Sequence, residues 1–596
     1  MITPISPNTA APPSPVTKRA HGRSLADFGE LKKAEKILLD CCVTGEEAKI
    51  GDAVPAADAD PKTIVRADFL RFLMLGGGEQ APVHEKGVQL IGAWVQEDLD
   101  LASCIVSQGV GLAKCRFDGV IYARDAHIKG VLLLSGSHLL QGLVADRLRC
   151  DGGIFLRDDF CSLGQVWLLG AQIYGDLNCS NGRLKHEVGV ALCLDGVVVK
   201  GNAFLDGKFE ATGEVRLVNA DISGDLQFTD GKFAPIEGGS ISADGVVVKG
   251  NVFFCGSFKA TGAVRLVGAQ IGGDLDCGCL TLSASFQDVL HLQSVTVQNV
   301  LNLCFLAGSV RIIATSAQVG VLIDANEAWA KGSILDGFVY KSLGGMAPTD
   351  AATRIEWIKK QMNEDLGEDT SKRNFRPQPW KQLQKVLREM GHDADAREVG
   401  VAYESQLRKA DRIGQIIDVK NGNRWIPFLR RKCLRALHWL FGFLAGYGYH
   451  PLRLFMSLVW VWLFCGVIYW WLAYAPHSAI GPTDPLVFQN SAYQACTTEN
   501  NGNWMLCRQL PAEYTTFSPL AYSLDVLLPL VDLGQEKRWG PLVPTPASHF
   551  CIELLSLSPP HWVRLLNWFQ ILYGWIASLL FVAIVSGMSR RSEMDK

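Results

Sequence analysis

Charge of one sign is missing from this chain: 57 Lys and Arg stand against 60 Asp and Glu in 596 residues, a formal net charge of −3. That balance leaves no basic field to attract nucleic acid, and none is expected as a partner. Enzyme signatures are missing as well. There is no GxGxxG on a strand–helix boundary, no Walker A loop, no HExxH and no GxSxG. The run Gly76-Gly77-Gly78 has no Lys-Ser/Thr after it to hold a phosphate, so it reads as a helix stop. No catalytic residue is assigned, no metal or other cofactor is expected, and the chain reads more readily as a non-enzyme. The 59 glycines follow no collagen period. The N-terminal stretch MITPISPNTAAPPSPVTKRAHGRS has no apolar core, which excludes a secretory signal. Residues 1–23 read as a disordered tail, and the N-terminal half is expected to stay in the cytoplasm. The 17 cysteines are scattered rather than set in a disulfide framework. Cys179, Cys193, Cys255 and Cys304 lie in apolar runs and read as buried thiols.

Two long apolar runs are present. Residues 454–474 and 565–588 carry no charge, and a bilayer core of roughly 30 Å needs about 20 helical residues. Trp470, Trp471 and Tyr474 close the first run, and Trp568 and Tyr573 stand near the start of the second, as interfacial aromatics do. Arg424, Arg430, Arg431, Lys432, Arg435 and Arg453 precede the first run; Arg590, Arg591 and Lys596 follow the second. The positive-inside rule then predicts a multi-pass protein of the cytoplasmic membrane with both termini cytoplasmic and residues 475–564 outside. Cys496 and Cys507 in that outer region could form a disulfide in an oxidising compartment, with Cys551 a third candidate. Ala436–Tyr449 follows the basic cluster and predicts an interfacial helix over 436–453. Its Gly446-Tyr447-Gly448 stands before the first span, where no ion filter would be.

Self-similarity dominates residues 87–325. DGVVVKGNAFLDGKFEATGEVRLVNADISGDLQF begins at Asp195, and DGVVVKGNVFFCGSFKATGAVRLVGAQIGGDLDC begins 49 residues later at Asp244. Within it Leu194, Val199, Phe204 and Phe209 are spaced by five, as are Val248, Phe253 and Phe258. That rhythm suits neither an α-helix nor a plain alternating strand. It predicts a square β-solenoid in which each five-residue side sends one large apolar residue inward, with coils of about 20 residues stacked roughly 4.8 Å apart. The tract would supply about 12 coils. The pattern resembles pentapeptide-repeat proteins, and phrases such as GAQIYGDL at Gly170 are similar to those of bactofilin solenoids. The tract drifts from the strict A(D/N)LXX motif and breaks at residues 183–188 and 235–239.

The fold expected is therefore mainly β: a right-handed β-solenoid (87–345) behind N-terminal capping helices (24–86), an αα-hairpin connector (346–435) and a C-terminal two-helix transmembrane hairpin ending in a cytoplasmic tail (589–596). Ser24 to Glu47 reads as one capping helix; the segment from Ile64, with Phe69, Phe72 and Leu73 at helical spacing, reads as another. In the connector, PQPWKQLQKVLREMGHDADAREV puts Leu383, Val386, Leu387 and Met390 on one face before Gly391, and reads as a spacer between rod and membrane. This segment resembles one found ahead of the membrane hairpin in bacterial membrane-anchored pentapeptide-like proteins, some of them labelled membrane-associated oxidoreductases.

Three constellations could carry chemistry. Cys277-Gly278-Cys279 offers two thiols to a metal or to adjacent coil sides. Asp176, Asp225 and Asp274 recur at one place in the repeat, as a carboxylate ladder or as turn residues accepting backbone hydrogen bonds. Residues 517–534 are apolar but too short to span; as a re-entrant segment they would place Tyr522, Asp525, Pro529 and Asp532 at a pore, and otherwise they form an interfacial helix. Three functional readings follow: a membrane-anchored scaffold whose solenoid binds a protein partner or a second copy, an oligomeric two-helix channel with the solenoid as sensor, and, through the resemblance, an oxidoreductase with a cofactor site of no recognised motif.

Overall fold

The computed structural model describes residues 23–57, 60–186, 189–235, 238–282, 289–304, 310–361, 375–413, 425–475, 479–510, 514–542 and 559–586. The N-terminal tail up to residue 22, Arg424, Cys551, Arg590, Arg591 and Lys596 lie outside the described residues. The chain divides into two compact units, Met1–Val399 and Gly400–Lys596.

The first unit is a parallel β-solenoid. Its coils run through four short strands each, for example Cys161–Ser162, Val166–Trp167, Gln172–Ile173 and Leu177–Asn178. Stacking them gives four walls, numbered here in that chain order. Walls 2 and 1 are each a ten-stranded sheet, and walls 3 and 4 belong to one 21-stranded sheet that turns a corner, so the solenoid has about ten turns. The pairing register explains the long repeat. Cys161 pairs with Arg183, 22 residues on, whereas Arg183 pairs with Glu210, 27 residues on; the next two steps, to Lys232 and Lys259, repeat the alternation. One 49-residue repeat is thus two coils, the longer carrying extra residues between walls 1 and 2. The expected 12 coils become about ten because a coil needs 22 to 27 residues rather than 20. Likewise Arg183–Leu184 is a wall strand, not part of a break.

Inward residues come in pairs two apart, because each wall is a pleated strand. Val215 and Leu217 are buried on wall 2, Ala220 and Ile222 on wall 3, Leu226 and Phe228 on wall 4. Crossing a corner advances the inward position by three or four residues, so the simple five-residue rhythm slips. Phe204 and Phe253, expected inside, are only partly buried on the outer face of wall 4, while Ala203, Leu205, Val252 and Phe254 point inward. Phe228 and Phe254 stack in the core with centroids 4.8 Å apart. The corner between walls 2 and 3 needs a left-handed residue in every coil: Gly170, Gly196, Asn219, Gly245 and Gly268 have φ of 64°, 63°, 55°, 69° and 70°. Glycine and asparagine adopt that conformation at least cost.

Both ends of the stack are closed. At the N-terminus a single 3-10 turn, Leu25–Phe28, and helix α1 (Lys33–Thr44) replace the one long helix expected. Ile64–Arg66 is already a strand of wall 1, and helix α2 (Ala67–Met74) starts only after it. Phe69, Phe72 and Leu73 are buried, with Phe28 at 5.3 Å and 5.2 Å from the two rings. Glu35 of α1, fully buried, receives Arg66 Nε at 2.8 Å and Nη2 at 2.7 Å, and the backbone N–H groups of Arg66 and Lys32. At the C-terminus helix α3 (Ala351–Lys359) brings Arg354 onto Asp324 of the last coils, Nη1 at 3.0 Å and Nη2 at 2.7 Å, both side chains buried. Trp329 Nε1 donates to the same carboxylate at 2.8 Å.

The expected spacer takes part in this closure. Helix α4 (Gln378–Glu389) and helix α5 (Asp393–Lys409) form the αα-hairpin, with Leu383, Val386 and Leu387 buried and Gly391 in the left-handed region. Gln378 accepts from Gly337 N at 3.0 Å and donates to Phe338 O at 3.0 Å, and Gln382 donates to Tyr340 O at 2.7 Å. These amides stand in for the backbone of a further coil along the final strand, Val339–Leu343.

Two outcomes follow. Arg354→Met should cost about 3–5 kcal/mol by leaving Asp324 buried without its cation, and Arg354→Met with Asp324→Leu should recover most of the loss; chemical unfolding of the four corners of this cycle measures it. Burial alone would raise the Glu35 carboxyl, but the hydrogen bonds from Arg66 and Lys32 outweigh it and hold the group below its ordinary 4.5. A depressed folded value gives stability that is present above the ordinary one and lost as pH falls. The melting-temperature gap between the native chain and Glu35→Gln should therefore be open at neutral pH and close below the ordinary Glu range.

Candidate functional site

The second unit is built on two helices long and apolar enough to cross a membrane, α7 (Pro451–Tyr474) and α9 (Pro559–Val585). Each begins a few residues before the run expected. Helix α6 (Trp425–Ala445) precedes them, and here the structure corrects the sequence reading: the helix starts ahead of the basic cluster, so Arg430, Arg431, Lys432 and Arg435 lie on it, and it ends where 436–453 was to continue. Gly446-Tyr447-Gly448 forms the 3-10 turn into α7, with all three residues at positive φ.

Residues 517–534 supply the centre of the site. Helix α8 (Pro519–Leu527) starts on a proline, with Ser518 accepting from Ala521 N at its cap, and packs against both α7 and α9 rather than on an outer surface. Two glycines allow the approach. A Cβ at Gly574 of α9 would lie 1.8 Å from Leu527 O, and one at Gly466 of α7 would lie 2.8 Å from the Leu520 side chain.

Polar side chains meet where the three helices touch. The Tyr469 hydroxyl lies 2.6 Å from Asn567 Oδ1 and 2.9 Å from Gln570 Oε1 and shares its hydrogen between them. Asn567 Nδ2 donates to Tyr522 OH at 2.8 Å, and Gln570 Nε2 donates to Ser523 O and Oγ, each at 2.8 Å. Ser523 Oγ passes its hydrogen to Trp462 O at 2.8 Å, and Trp462 Nε1 donates to Leu520 O at 2.9 Å. All five cluster side chains are buried and uncharged. Such groups are costly in an apolar surrounding unless paired, and here each is paired. The arrangement is a lock: it fixes α8 in register between its neighbours.

The residues expected at a pore separate. Tyr522 is in the lock. Asp525 is buried and its oxygens receive the backbone N–H groups of Leu533, Gln535 and Glu536 at 2.7, 2.8 and 2.8 Å, which shapes the return loop. Pro529 is partly exposed in that loop, and Asp532 is exposed, accepting from Gly534 N and pairing with Lys537. Tyr469, Ser523, Asn567 and Gln570 were not singled out from sequence. The signal was there for two of them: Asn567 and Gln570 are polar residues three apart on one face of the second apolar run. Cys496 and Cys507 are joined in a disulfide, Cα to Cα 5.4 Å, beside Asn503, which caps α7 by donating to Ala473 O at 3.0 Å.

The remaining candidates fall within the solenoid. Asp176 Oδ1 accepts from Asn202 N at 2.7 Å, Asn202 Oδ1 accepts from Asp225 N at 2.9 Å, and the sequence repeats through Asn251 to Asp274. Alternating Asp with Asn up one corner supplies a hydrogen bond per coil without stacking like charges. Cys277 is buried, and burial first and the neighbouring Asp276 second push its thiol well above the ordinary value; Cys279 is half-buried. Burial likewise raises the thiols of Cys115 and Cys179 to about 12. Of the four thiols expected inside, Cys179 and Cys193 are buried, but Cys255 and Cys304 are only partly so, because both fall at a corner. Among the described residues no three His, Cys, Asp or Glu side chains gather as metal ligands.

Gly574→Ala should lower the detergent-solubilised protein's melting temperature more than Gln570→Leu. The added methyl has no room against Leu527 O, whereas the three hydrogen bonds of Gln570 are worth only about 0.6 kcal/mol each between membrane helices. Equal losses would mean that close packing does not position α8. No family model matches the chain, and neither a curated protein nor a solved structure is significantly similar to it.

Proposed function

We propose that this protein is a membrane-anchored binding scaffold: α7 and α9 span the cytoplasmic membrane, and the solenoid, on the cytoplasmic side, offers its walls to a protein partner or to a second copy. The observation that carries the reading is the lock. Among the described residues, the five polar side chains where α7, α8 and α9 meet are spent on holding α8, and the Asp525 carboxylate is enclosed by three backbone N–H groups. That is what a rigid anchor needs, and among the described residues the five side chains that meet there are all uncharged.

The topology has its own support. Leu454, near the start of α7, packs with Ala577 and Ile584 near the end of α9, so one end of the helix pair carries both the entry and the exit of the chain. That end adjoins the basic helix α6, as cytoplasmic flanks do. The disulfide lies in the connection between α7 and α9, while thirteen of the fourteen free thiols among the described residues precede α7 and the other, Cys465, lies within it. A disulfide on one side and free thiols on the other fit two compartments of different redox state. On the solenoid, Leu133, Phe155, Phe204 and Phe253 share the outward column of wall 4 with Asn178 and Gln227 between them, partly exposed, giving a stripe of alternating aromatic and amide side chains on a flat face.

Two measurements test the reading together. Liposomes carrying the full chain should pass ions no faster than protein-free liposomes under any applied potential or pH; flux above that level makes the protein a channel. Phe204→Glu with Phe253→Glu should keep the native melting temperature yet abolish a cross-link formed from a photoreactive residue at position 155. A cross-link that survives the substitutions would remove wall 4 as the binding face.

A further inference from the structure

Helix α6 carries four cations, Arg430, Arg431, Lys432 and Arg435, and no carboxylate in its 21 residues. One stripe of it is already engaged. Arg435 Nη1 meets Asp411 Oδ1 at 2.7 Å, Arg431 pairs with the other oxygen, and His438 Nε2 lies 3.1 Å from Glu404 Oε2 with its ring 4.6 Å from that of Tyr447. At its C-terminal end Ala445 is fully buried in the cluster of Leu454, Ala577 and Ile584. The helix is therefore fixed at the end of the pair where α7 begins and α9 finishes.

The opposite stripe is apolar and uncovered: Leu429 is 65% exposed, Leu437 61%, Phe443 68% and Leu440 43%. Successive helical positions turn by about 100°, which puts these residues on the side away from Arg431, Arg435 and His438, with exposed Cys433 among them. Arg430 and Lys432 fall at the two borders of the stripe. An apolar stripe edged by cations, on a helix joined by a short turn to a membrane-crossing one, matches a bilayer surface: acyl chains below, phosphates at the rim. A protein partner would instead have to seat itself where lipid is already present.

We propose that α6 lies in the headgroup layer with Leu429, Leu437, Leu440 and Phe443 toward the acyl chains, and that Arg430 and Lys432 bind the phosphates of anionic phospholipid. The inference rests on α7 and α9 being membrane spans. The cations take up the negative surface potential of the leaflet they face, and Arg431 and Arg435, tied to Asp411, hold the helix at a fixed rotation so that the stripe stays down.

The test uses the full chain in vesicles of phosphatidylcholine, alone or mixed equally with phosphatidylglycerol. A nitroxide is placed on Cys433, with Cys433→Ser labelled in parallel and subtracted for the other thiols. A Val467→Cys label in the Cys433→Ser background reports on the middle of α7. Collisions with oxygen should exceed those with an aqueous nickel chelate several-fold at both labels. Adding phosphatidylglycerol should raise the ratio further at position 433, and Arg430→Glu with Lys432→Glu should remove that increment while leaving position 467 unchanged. A label at 433 that meets the chelate freely while 467 does not would overturn the inference and leave the spans standing. A water-exposed 467 would overturn both. Dipolar broadening between Cys433 labels would make a second copy the occupant, and an increment that survives both substitutions would remove the phosphate contacts.

Discussion

A two-residue strand has no independent stability, and the solenoid is made almost entirely of them. Each exists because the coil before and the coil after supply hydrogen-bond partners for its backbone, and because its inward side chains fall on those of the neighbouring coils, as Phe228 falls on Phe254. Stability in such a stack is a nearest-neighbour property, so its weak points are the two ends, where one row of backbone groups and one layer of side chains face nothing. The chain meets that constraint at both ends with a buried carboxylate held by a bidentate arginine: Glu35 with the part-exposed Arg66 at one, Asp324 with the buried Arg354 at the other. A buried ion pair adds little net stability over an apolar substitute, but it tolerates only one geometry. Here that selectivity fixes where a helix sits on an end that would otherwise accept many positions. Gln378 and Gln382 finish the closure by supplying amide groups to a strand that has no next coil.

The helical unit answers the same demand in a different surrounding. Its apolar helices satisfy their own backbones, so the cost falls on the polar side chains enclosed with them. Tyr469, Tyr522, Ser523, Asn567 and Gln570 satisfy one another and, through Ser523, a backbone carbonyl of α7. The consequence is a short helix held between two long ones, with glycines at the two points of closest approach. A rigid anchor and a pore both call for a well-fixed helix at this place. The anchor proposed here rests on the polar groups of these five side chains being turned on each other.

Much of this was legible in the residues. The repeat of Asp195 to Asp244, the two uncharged runs, the basic cluster before the first and the Asn567/Gln570 spacing all act through local periodicity and composition, which need no knowledge of distant contacts. The phase of the solenoid was not legible. The five-residue rhythm put Phe204 and Phe253 inside, because a sequence period averages over corners that advance by three or four residues while the pleat advances by two. Asp176, Asp225 and Asp274 were visible as a repeat, but their partners Asn202 and Asn251 lie on the alternate coils and become neighbours only when the coils stack.

The sequence by itself determined the materials of the fold: a β-solenoid from a recurrent pattern of apolar pairs and left-handed corner residues, and two helices long enough to cross a bilayer from length and lack of charge. Tertiary structure alone decided how these are finished. It placed the αα-hairpin on the last strand instead of leaving it as a spacer, moved the start of α6 ahead of its arginines, and drew α8 in between α7 and α9. The physical reason is common to all three. A strand edge, an amphipathic stripe and a buried amide each require a partner, and a chain records the requirement locally while the partner that meets it comes from tens of residues away.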